Sequence, residues 1–184
     1  MKNKNVKVVF EGNIFQVIQE TKKHGEHTIN MEYVKRAPGV RVIVVKDNKI
    51  LLNEEIRHHP EGLDYRIPGG KVYDSLIDFK KALDDKVDLK KAAEIAGIRE
   101  IEEETGHHVK NLKFHHISQG GASIHFELYF FTTSDCNKTV QKLEPGEQIK
   151  PVWKSYDEVK EMCYKKEIKE DISAAVLLRF LKDK

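Results

Sequence analysis

Four glutamates lie within five residues of one another, in the segment 99–106 that reads Arg-Glu-Ile-Glu-Glu-Glu-Thr-Gly. The alanine-rich residues before this segment and Gly106 at its end predict a helix that stops at the glycine. At about 3.6 residues per turn, Glu100, Glu103 and Glu104 share one face of that helix. Such acidic faces are common on solvated helices. They can also hold a hard cation, because Mg²⁺ binds oxygen ligands from one or two carboxylates, waters and substrate phosphates.

The surrounding residues favour the second interpretation. Pro68-Gly69-Gly70-Lys71-Val72 lies upstream, and the later segment has the pattern Arg-Glu-hydrophobic-x-Glu-Glu-x-Gly. This is the second half of the Nudix box, so the chain resembles Nudix hydrolases, which cleave diphosphates linked to another moiety. Every fixed position from Arg99 to Gly106 matches, while His107 stands where the family usually has a bulky apolar residue.

The first half of the box departs from the family. Gly70 and Arg99 have 28 residues between them, fifteen more than the family pattern. The glutamate expected there falls on Leu76 when counted from Gly70, and on Lys91 when counted from Arg99. Three nearby acidic residues are open as substitutes, and the sequence does not choose among them: Asp74, Asp88 and Glu94.

The extra residues, about 75–91, are predicted to form an added helix. Ser75 and Asp78 resemble a capping box at its start. An apolar stripe follows at the spacing i, i+3, i+7: Leu76, Phe79 and Leu83. Two interpretations stay open, a surface helix that covers the core and a lid or dimer contact beside the Pro68–Val72 loop.

Composition sets limits on the class of protein. The 184 residues are 39% hydrophobic and 34% charged, with a net charge of only +2. Lysines are scattered among acidic residues, which argues against a nucleic-acid surface. Cys136 and Cys163 have no metal-site spacing, so unpaired thiols in a reducing cytosol are expected. No run approaches the ~18 apolar residues of a membrane span, and we expect a cytoplasmic protein.

Strand patterns fill most of residues 6–57. Val6–Phe10 and Ile14–Ile18 predict a hairpin, and a polar connection at 22–26 leads to a strand from about Thr28 to Arg36. Val40–Val45 has the β-branched character expected of a strand buried on both faces. Further along, Ile124–Phe131 predicts a strong strand.

The order of these segments resembles the ADP-ribose pyrophosphatase branch of the Nudix family. The similar segments are Val9–Val17, Pro38-Gly39-Val40 and Glu55-Ile56-Arg57. The resemblance implies an α+β fold, an α/β/α sandwich with a mixed sheet. It also implies an N-terminal β extension at 1–36, which in this branch helps to build a homodimer and the substrate cleft, followed by a Nudix domain at 37–184.

The resemblance suggests residues that contact substrate. Arg57 is predicted to bind phosphate or base, because a guanidinium recognises phosphate in a bidentate manner and stacks on purines. Arg66 stands where the branch usually has glutamate, which reverses a charge near the cleft. Gly70 and Lys71 complete the predicted substrate-binding set.

A polar loop at 133–148 is predicted to supply a further carboxylate. In the branch, a glutamate just before a strand of the form Ile-x-Val-x-Trp acts as general base or extra metal contact. Glu147 fits this position best and Glu144 second, although an ordinary acidic loop is the alternative. The residues after this loop predict a helix that begins at 156–159 and a last helix from Ile172 to Leu181.

The predicted chemistry is Mg²⁺-assisted hydrolysis of a phosphoanhydride, with Mn²⁺ as a possible substitute. The expected metal ligands are Glu100, Glu103 and Glu104, and Glu103 is also a candidate for activating water. The resemblance to the family suggests the carbonyl of Gly69 as a further ligand. Arg99 is expected to orient these glutamates, whereas Glu102 should point away.

The substrate is expected to be a small nucleoside diphosphate compound, with ADP-ribose or a related nucleoside diphosphate sugar first. Dinucleoside polyphosphates or modified nucleotides are the second choice within the enzyme class. A Nudix-like domain that binds nucleotides or sugars without turnover is the alternative from another class.

Overall fold

The structure is a computed structural model and describes residues 5–58 and 61–184. Within these ranges the chain forms twelve strands and four helices. The strands are β1 (Val6–Glu11), β2 (Phe15–His24), β3 (His27–Arg36), β4 (Gly39–Lys46), β5 (Lys49–His58), β6 (Glu61–Arg66), β7 (His107–Val109), β8 (Lys113–Gln119), β9 (Ile124–His125), β10 (Glu127–Thr133), β11 (Cys136–Lys138) and β12 (Ile149–Ser155). The helices are α1 (Leu76–Asp84), α2 (Leu89–Thr105), α3 (Tyr156–Tyr164) and α4 (Asp171–Phe180).

The central sheet is mixed, as predicted. Its strands lie in the order β12-β5-β4-β10-β8, with β6 also paired to β5. The β4–β10 pair is parallel, and the other pairs of this sheet are antiparallel. A second sheet has the order β1-β2-β3-β9, and β7 pairs with β11 in a small third sheet.

Two apolar clusters cover the two faces of the central sheet. On one face Val40, Val42 and Val44 pack with Ala93 and Ile101 of α2. On the other face, Ile43 and Leu52 belong to a cluster with residues of α3 and α4. The predicted α/β/α sandwich is therefore confirmed, and β4 is buried on both faces.

The segment Ile124–Phe131 was predicted as one strand, and this is wrong. Ile124 pairs in parallel with Val34 of β3, whereas Leu128 pairs with Gly39 of β4. The chain therefore changes from one sheet to the other at Phe126, and the site described below forms at this junction. The predicted division of the chain into an N-terminal β extension at 1–36 and a Nudix domain at 37–184 stays a prediction.

The polar stretch 22–26 also differs from the prediction. Strand β2 continues to His24 and strand β3 begins at His27, so only Gly25 and Glu26 separate them. Gly25 has a φ of +63°, which favours glycine in such a tight turn.

The added helix is present as α1, shorter than the predicted range. Ser75 caps it by accepting a hydrogen bond from the Asp78 backbone nitrogen at 3.1 Å. Leu76 and Phe79 are buried, but Leu83 is 40% exposed, which differs from the predicted stripe. The second turn of the helix instead buries Ala82.

Helix α2 ends as the sequence predicts. Gly106 has a φ of +63° and its nitrogen donates to the Glu102 carbonyl, so the glycine terminates the helix in the left-handed conformation. Among the described residues, no helix is long and apolar enough to span a membrane.

Candidate active site

A charged cleft with a volume of about 390 Å³ lies between α2, the Gly69–Lys71 loop and the start of α4. All eleven residues predicted for the site line it: Arg57, Arg66, Gly69, Gly70, Lys71, Arg99, Glu100, Glu103, Glu104, Glu144 and Glu147. The structure therefore brings together residues from four separate parts of the chain, while their individual roles stay predictions.

One side of the cleft is an acidic wall, which we define as Glu100, Glu103 and Glu104 of α2. Glu104 is buried, and one of its oxygens accepts hydrogen bonds from the Gly69 nitrogen at 2.8 Å and from the Asn53 amide at 2.9 Å. Burial raises the pKa of Glu104 to about 8, although these hydrogen bonds and the charge of Arg41 act in the opposite direction.

Arg99 holds the other two members of the acidic wall. Its guanidinium contacts Glu100 at 2.7 Å and Glu103 at 2.9 Å. Burial nevertheless raises the pKa of Glu100, and Arg99 offsets this only in part. Partly exposed ion pairs of this kind contribute only ~0–1 kcal/mol. The acidic wall is therefore short of positive charge.

The Gly69–Gly70 pair lets the loop approach the acidic wall closely. A Cβ on Gly70 would lie 2.5 Å from a carboxylate oxygen of Glu100. Gly69 has a φ of +140°, and a Cβ there would lie 2.2 Å from the Val40 carbonyl oxygen. Residue 69 therefore requires glycine, because backbone atoms block a side chain there, whereas at residue 70 the Glu100 carboxylate fills the space that a side chain would need.

The cleft is also lined by an arginine wall, which we define as Arg41, Arg66 and Glu170. Glu170, at the N-terminus of α4, contacts Arg41 at 3.2 Å and Arg66 at 2.8 Å, and it accepts a hydrogen bond from Ser173. Arg41 also donates to the Gly69 carbonyl at 2.6 Å. Burial by itself would raise the pKa of Glu170, but the two arginines and the hydrogen bonds outweigh burial and lower it to about 2.

Arg66 and Arg57 are both held by acidic neighbours. Arg66 lies 3.4 Å from Asp64 and 3.7 Å from Glu55, and Arg57 contacts Glu55 at 3.2 Å. Burial raises the pKa of Glu55, and these arginines offset that effect. Arg57 is the more exposed arginine, so it is better placed than Arg66 to contact a ligand directly.

The polar loop contributes Glu144 and Glu147 to the cleft. The Glu147 carboxylate accepts a hydrogen bond from the Glu144 nitrogen at 2.9 Å, and the Glu147 nitrogen donates to the Glu144 carbonyl at 3.1 Å. Both residues are exposed. Glu102, in contrast, contacts His108 at 2.9 Å and does not line the cleft.

The three candidates for the missing box glutamate occupy different places. Asp74 lines the cleft. Asp88 caps α2 by accepting hydrogen bonds from the Lys90 and Lys91 nitrogens. Glu94 pairs with the exposed Lys91 side chain at 2.9 Å. Only Asp74 of these three therefore reaches the cleft.

Sequence reasoning missed four polar residues of the site: Arg36, Arg41, Asn53 and Glu170. Arg41 and Asn53 are almost fully buried, and Arg41 lies within the Val40–Val45 run that was interpreted as a buried strand. A charged residue inside a β-branched run was the available signal, because an unpaired buried charge is too costly to be accidental. Glu170 carried no comparable signal, since an acidic residue before a helix is common.

The donor set of the acidic wall fits a hard divalent cation. Three carboxylates of one helix face the same cleft beside the loop backbone, and burial disfavours the charged form of two of them. Among the described residues, no three acidic, histidine or cysteine side chains form a ready-made metal cluster. Glu100, Glu103 and Glu104 are the residues that would hold an ion, together with oxygens from water and substrate.

Solved structures with a similar fold include two hydrolases. An ADP compounds hydrolase has a TM-score of 0.70 and 17% sequence identity, covering 97% of this chain and 90% of its own. A MutT NUDIX hydrolase from Burkholderia pseudomallei has a TM-score of 0.48 and 21% identity, covering 66% of this chain and 84% of its own. No curated protein matches the sequence significantly.

The sequence matches the family model of the NUDIX domain over residues 35–176. That range includes the whole charged cleft, from Arg36 to Glu170. The chain therefore belongs to the Nudix family, as a pyrophosphohydrolase; hydrolases of this family act on small nucleotide substrates and generally use divalent metal ions.

Proposed function

We propose that this protein is a Mg²⁺-dependent hydrolase of a nucleoside diphosphate linked to another moiety. The products would be a nucleoside monophosphate and, for a nucleoside diphosphate sugar, a sugar phosphate. The observation that carries the proposal is the charged cleft, where the acidic wall and the arginine wall line one space and both contact Gly69.

The balance of charge in the cleft supports metal dependence. Six basic and seven acidic side chains line it, so the cleft has no excess of positive charge for a diphosphate. When bound, Mg²⁺ or Mn²⁺ would neutralise the diphosphate and lower the pKa of the attacking water. We infer that Glu100, Glu103 and Glu104 hold the ions and that the Gly69 carbonyl, already bonded to Arg41, is a further candidate.

The remaining chemistry needs a group that accepts a proton from water. Glu147 is the first candidate, with Glu144 second, because both are exposed and line the cleft. Glu103, the most exposed member of the acidic wall, is the alternative. Water attacks phosphorus as one of its protons passes to this carboxylate, and the bridging P–O bond of the anhydride breaks with its electrons going to the leaving phosphate. The carboxylate then releases its proton to the departing phosphate or to solvent, which restores the base.

ADP-ribose, or a related nucleoside diphosphate sugar, is the substrate we place first. The resemblance of Val9–Val17 and Glu55-Ile56-Arg57 to the ADP-ribose pyrophosphatase branch supports this choice. The solved structure with a TM-score of 0.70 bears the name ADP compounds hydrolase and is consistent with it. Arg57 would contact phosphate or base, while Arg66 would act mainly by holding Glu170.

A homodimer is part of the proposal. Several large apolar side chains are exposed on the N-terminal strands and their first turn, where a second copy would cover them: Val6, Val8, Val9, Phe10, Ile14 and Ile29. Sedimentation equilibrium should give twice the chain mass, and a monomer at all concentrations would contradict this part. The cytoplasmic location stays a prediction from sequence.

A substrate panel read by product mass tests the activity. The panel contains ADP-ribose, other nucleoside diphosphate sugars, dinucleoside polyphosphates and modified nucleotides, each with Mg²⁺ or Mn²⁺ and with excess chelator. We expect AMP and ribose 5-phosphate from ADP-ribose, and no products with chelator. A preference for dinucleoside polyphosphates would change the substrate class, and tight binding without turnover would contradict the enzyme.

A further inference from the structure

A second pocket lies directly beside the charged cleft. Its volume is about 480 Å³, within the ~300–1,000 Å³ typical of small-molecule sites. Arg36 and Phe126 line both spaces, so the two spaces share a wall. A ligand with its diphosphate in the cleft can therefore extend into the second pocket without leaving the protein surface.

The wall of this pocket is mostly apolar. Its apolar side chains come from α1, the start of α2 and the junction between β9 and β10: Phe79, Leu83, Leu89, Ile124 and Phe126. Ile124 is 45% exposed and Leu83 is 40% exposed, although both are large apolar residues. Exposed apolar surface that lines a concave pocket is typical of a binding site.

Helix α1 belongs to the residues that lengthen the Nudix box, and it forms one side of the pocket. Phe79 packs on Tyr73 with ring centroids 5.7 Å apart. The Leu76 nitrogen donates to the Asn13 carbonyl at 2.6 Å, and Lys80 contacts Glu11 at 2.6 Å. The helix is thus attached to the N-terminal hairpin, and it presents Phe79 and Leu83 as a fixed wall.

The junction of the two spaces suits a planar aromatic group. The Arg36 guanidinium lies 5.0 Å from the centroid of the Phe126 ring. Among the described residues, the buried Nε of Arg36 has no hydrogen-bond partner. Arginine and phenylalanine both stack on heterocycles. A sugar, with hydroxyl groups all around it, would leave those hydroxyls against apolar side chains without partners.

The polar side chains of the pocket can form hydrogen bonds with the edge of such a ring. Gln119 and Lys35 also line the pocket. A glutamine amide both donates and accepts hydrogen bonds, as the edges of nucleobases do. The pocket therefore combines an apolar wall, a cationic stacking group and an amide.

We propose that the pocket lined by Phe79, Leu83 and Leu89 binds the nucleobase of the substrate, and that Leu83 is a specificity-determining residue. The inserted helix thus selects the nucleoside half of the substrate, while the charged cleft holds the diphosphate. This inference rests on the proposed function, because it assumes that the ligand is a nucleotide.

Calorimetric binding of mononucleotides tests this inference without turnover. The ligands are AMP, GMP and UMP, with ribose 5-phosphate as the matched compound that lacks a base. We expect the wild-type protein to bind at least one nucleotide at least ~10-fold tighter than ribose 5-phosphate. Leu83→Asp should weaken that nucleotide about tenfold and leave ribose 5-phosphate within about twofold, as expected for loss of apolar contacts in a pocket.

Ile77→Asp is the control, because Ile77 lies on the same helix, is 72% exposed and does not line the pocket. It should leave all binding constants within about twofold. Leu83→Ala, which removes the side chain without adding charge, replaces Leu83→Asp if that variant does not fold.

Three results would overturn the inference: no preference for a nucleotide in the wild-type protein, equal weakening of both ligand types by the Leu83 variant, or the same loss in Ile77→Asp. Failure of the proposed function gives a different pattern, since the wild-type protein would then bind nucleotides with this preference but release no products from the substrate panel.

Discussion

The two walls of the cleft carry similar groups in opposite balance. On the acidic wall, three carboxylates share one arginine, Arg99, and burial raises the pKa of Glu100 and Glu104. On the arginine wall, two arginines share one carboxylate, Glu170, whose pKa falls to about 2. One wall is short of positive charge, and the other holds its single negative charge firmly.

This difference indicates different roles for two charged clusters that are close in space. A buried carboxylate with a raised pKa gains most from an added cation, whereas one with a lowered pKa already has its partners. The acidic wall is therefore suited to a ligand, and Glu170 is suited to positioning Arg41 and Arg66. Substitutions in each wall should affect different measurements.

The largest effect on stability is expected from Glu170→Ala. Removing this carboxylate leaves Arg41 and Arg66 partly buried without their shared partner, and breaking a buried pair in this way costs ~3–5 kcal/mol. The free energy of unfolding, measured by urea denaturation, should fall by about that amount. Glu167→Ala is the matched control, because Glu167 is exposed three residues away and should change the free energy by less than ~0.5 kcal/mol.

The free energy of unfolding measured at acidic pH gives an independent test of the Glu170 carboxylate. The folded-state pKa of Glu170 is about 2, below its ordinary value of 4.5, so its contribution is complete above about 4.5. That contribution is lost as the pH falls from about 4.5 towards 2, and a shift of this size corresponds to about 3 kcal/mol. Glu170→Gln should lack this part of the acid dependence. An unchanged acid dependence would show that Glu170 is not held as described.

Substitutions in the acidic wall should lower kcat rather than the free energy of unfolding. Glu103→Gln or Glu104→Gln should lower kcat at least ~100-fold, about 3 kcal/mol, because the charge that holds the cation is removed. A glutamine at 104 can still accept the hydrogen bonds from Gly69 and Asn53, so the fold should remain intact. The measurements are kcat with the best substrate of the panel and the melting temperature.

Glu102→Gln is the control for this prediction. Glu102 lies on the same helix but contacts His108 outside the cleft, and its variant should keep kcat within about twofold. Wild-type kcat in both Glu103→Gln and Glu104→Gln would remove the acidic wall from the mechanism. If these variants have a lower melting temperature but an unchanged kcat while folded, the acidic wall has a structural role only.

The two walls also differ in how far the sequence predicted them. The acidic wall comes from one helix, and helix periodicity places Glu100, Glu103 and Glu104 together from local information alone. Resemblance to the Nudix family added Gly69 and Gly70, and all of these residues line the cleft. The sandwich fold came from the same family resemblance, whereas the local pattern predicted only single elements such as the buried strand β4.

The arginine wall depends on contacts that no local pattern contains. Arg41 and Glu170 are 129 residues apart and meet only because α4 packs against the central sheet. The split of Ile124–Phe131 between two sheets has the same cause, since the pattern of apolar residues along a segment does not indicate where its partner strand changes. Tertiary context decides both features, and both contribute to the site.

The smallest effect is expected at the far end of α2, outside both walls. Asp88 caps this helix through the Lys90 and Lys91 nitrogens, and it lies twelve residues before Glu100, or ~18 Å along the helix axis. Asp88→Ala should therefore lower the free energy of unfolding by ~1 kcal/mol, the usual effect of losing an N-cap, and leave kcat within about twofold. Asp88→Asn, which keeps the capping oxygen, should restore the stability. If Asp88→Ala instead lowers kcat as strongly as Glu104→Gln, Asp88 acts in place of the missing box glutamate, and the acidic wall extends along the whole helix.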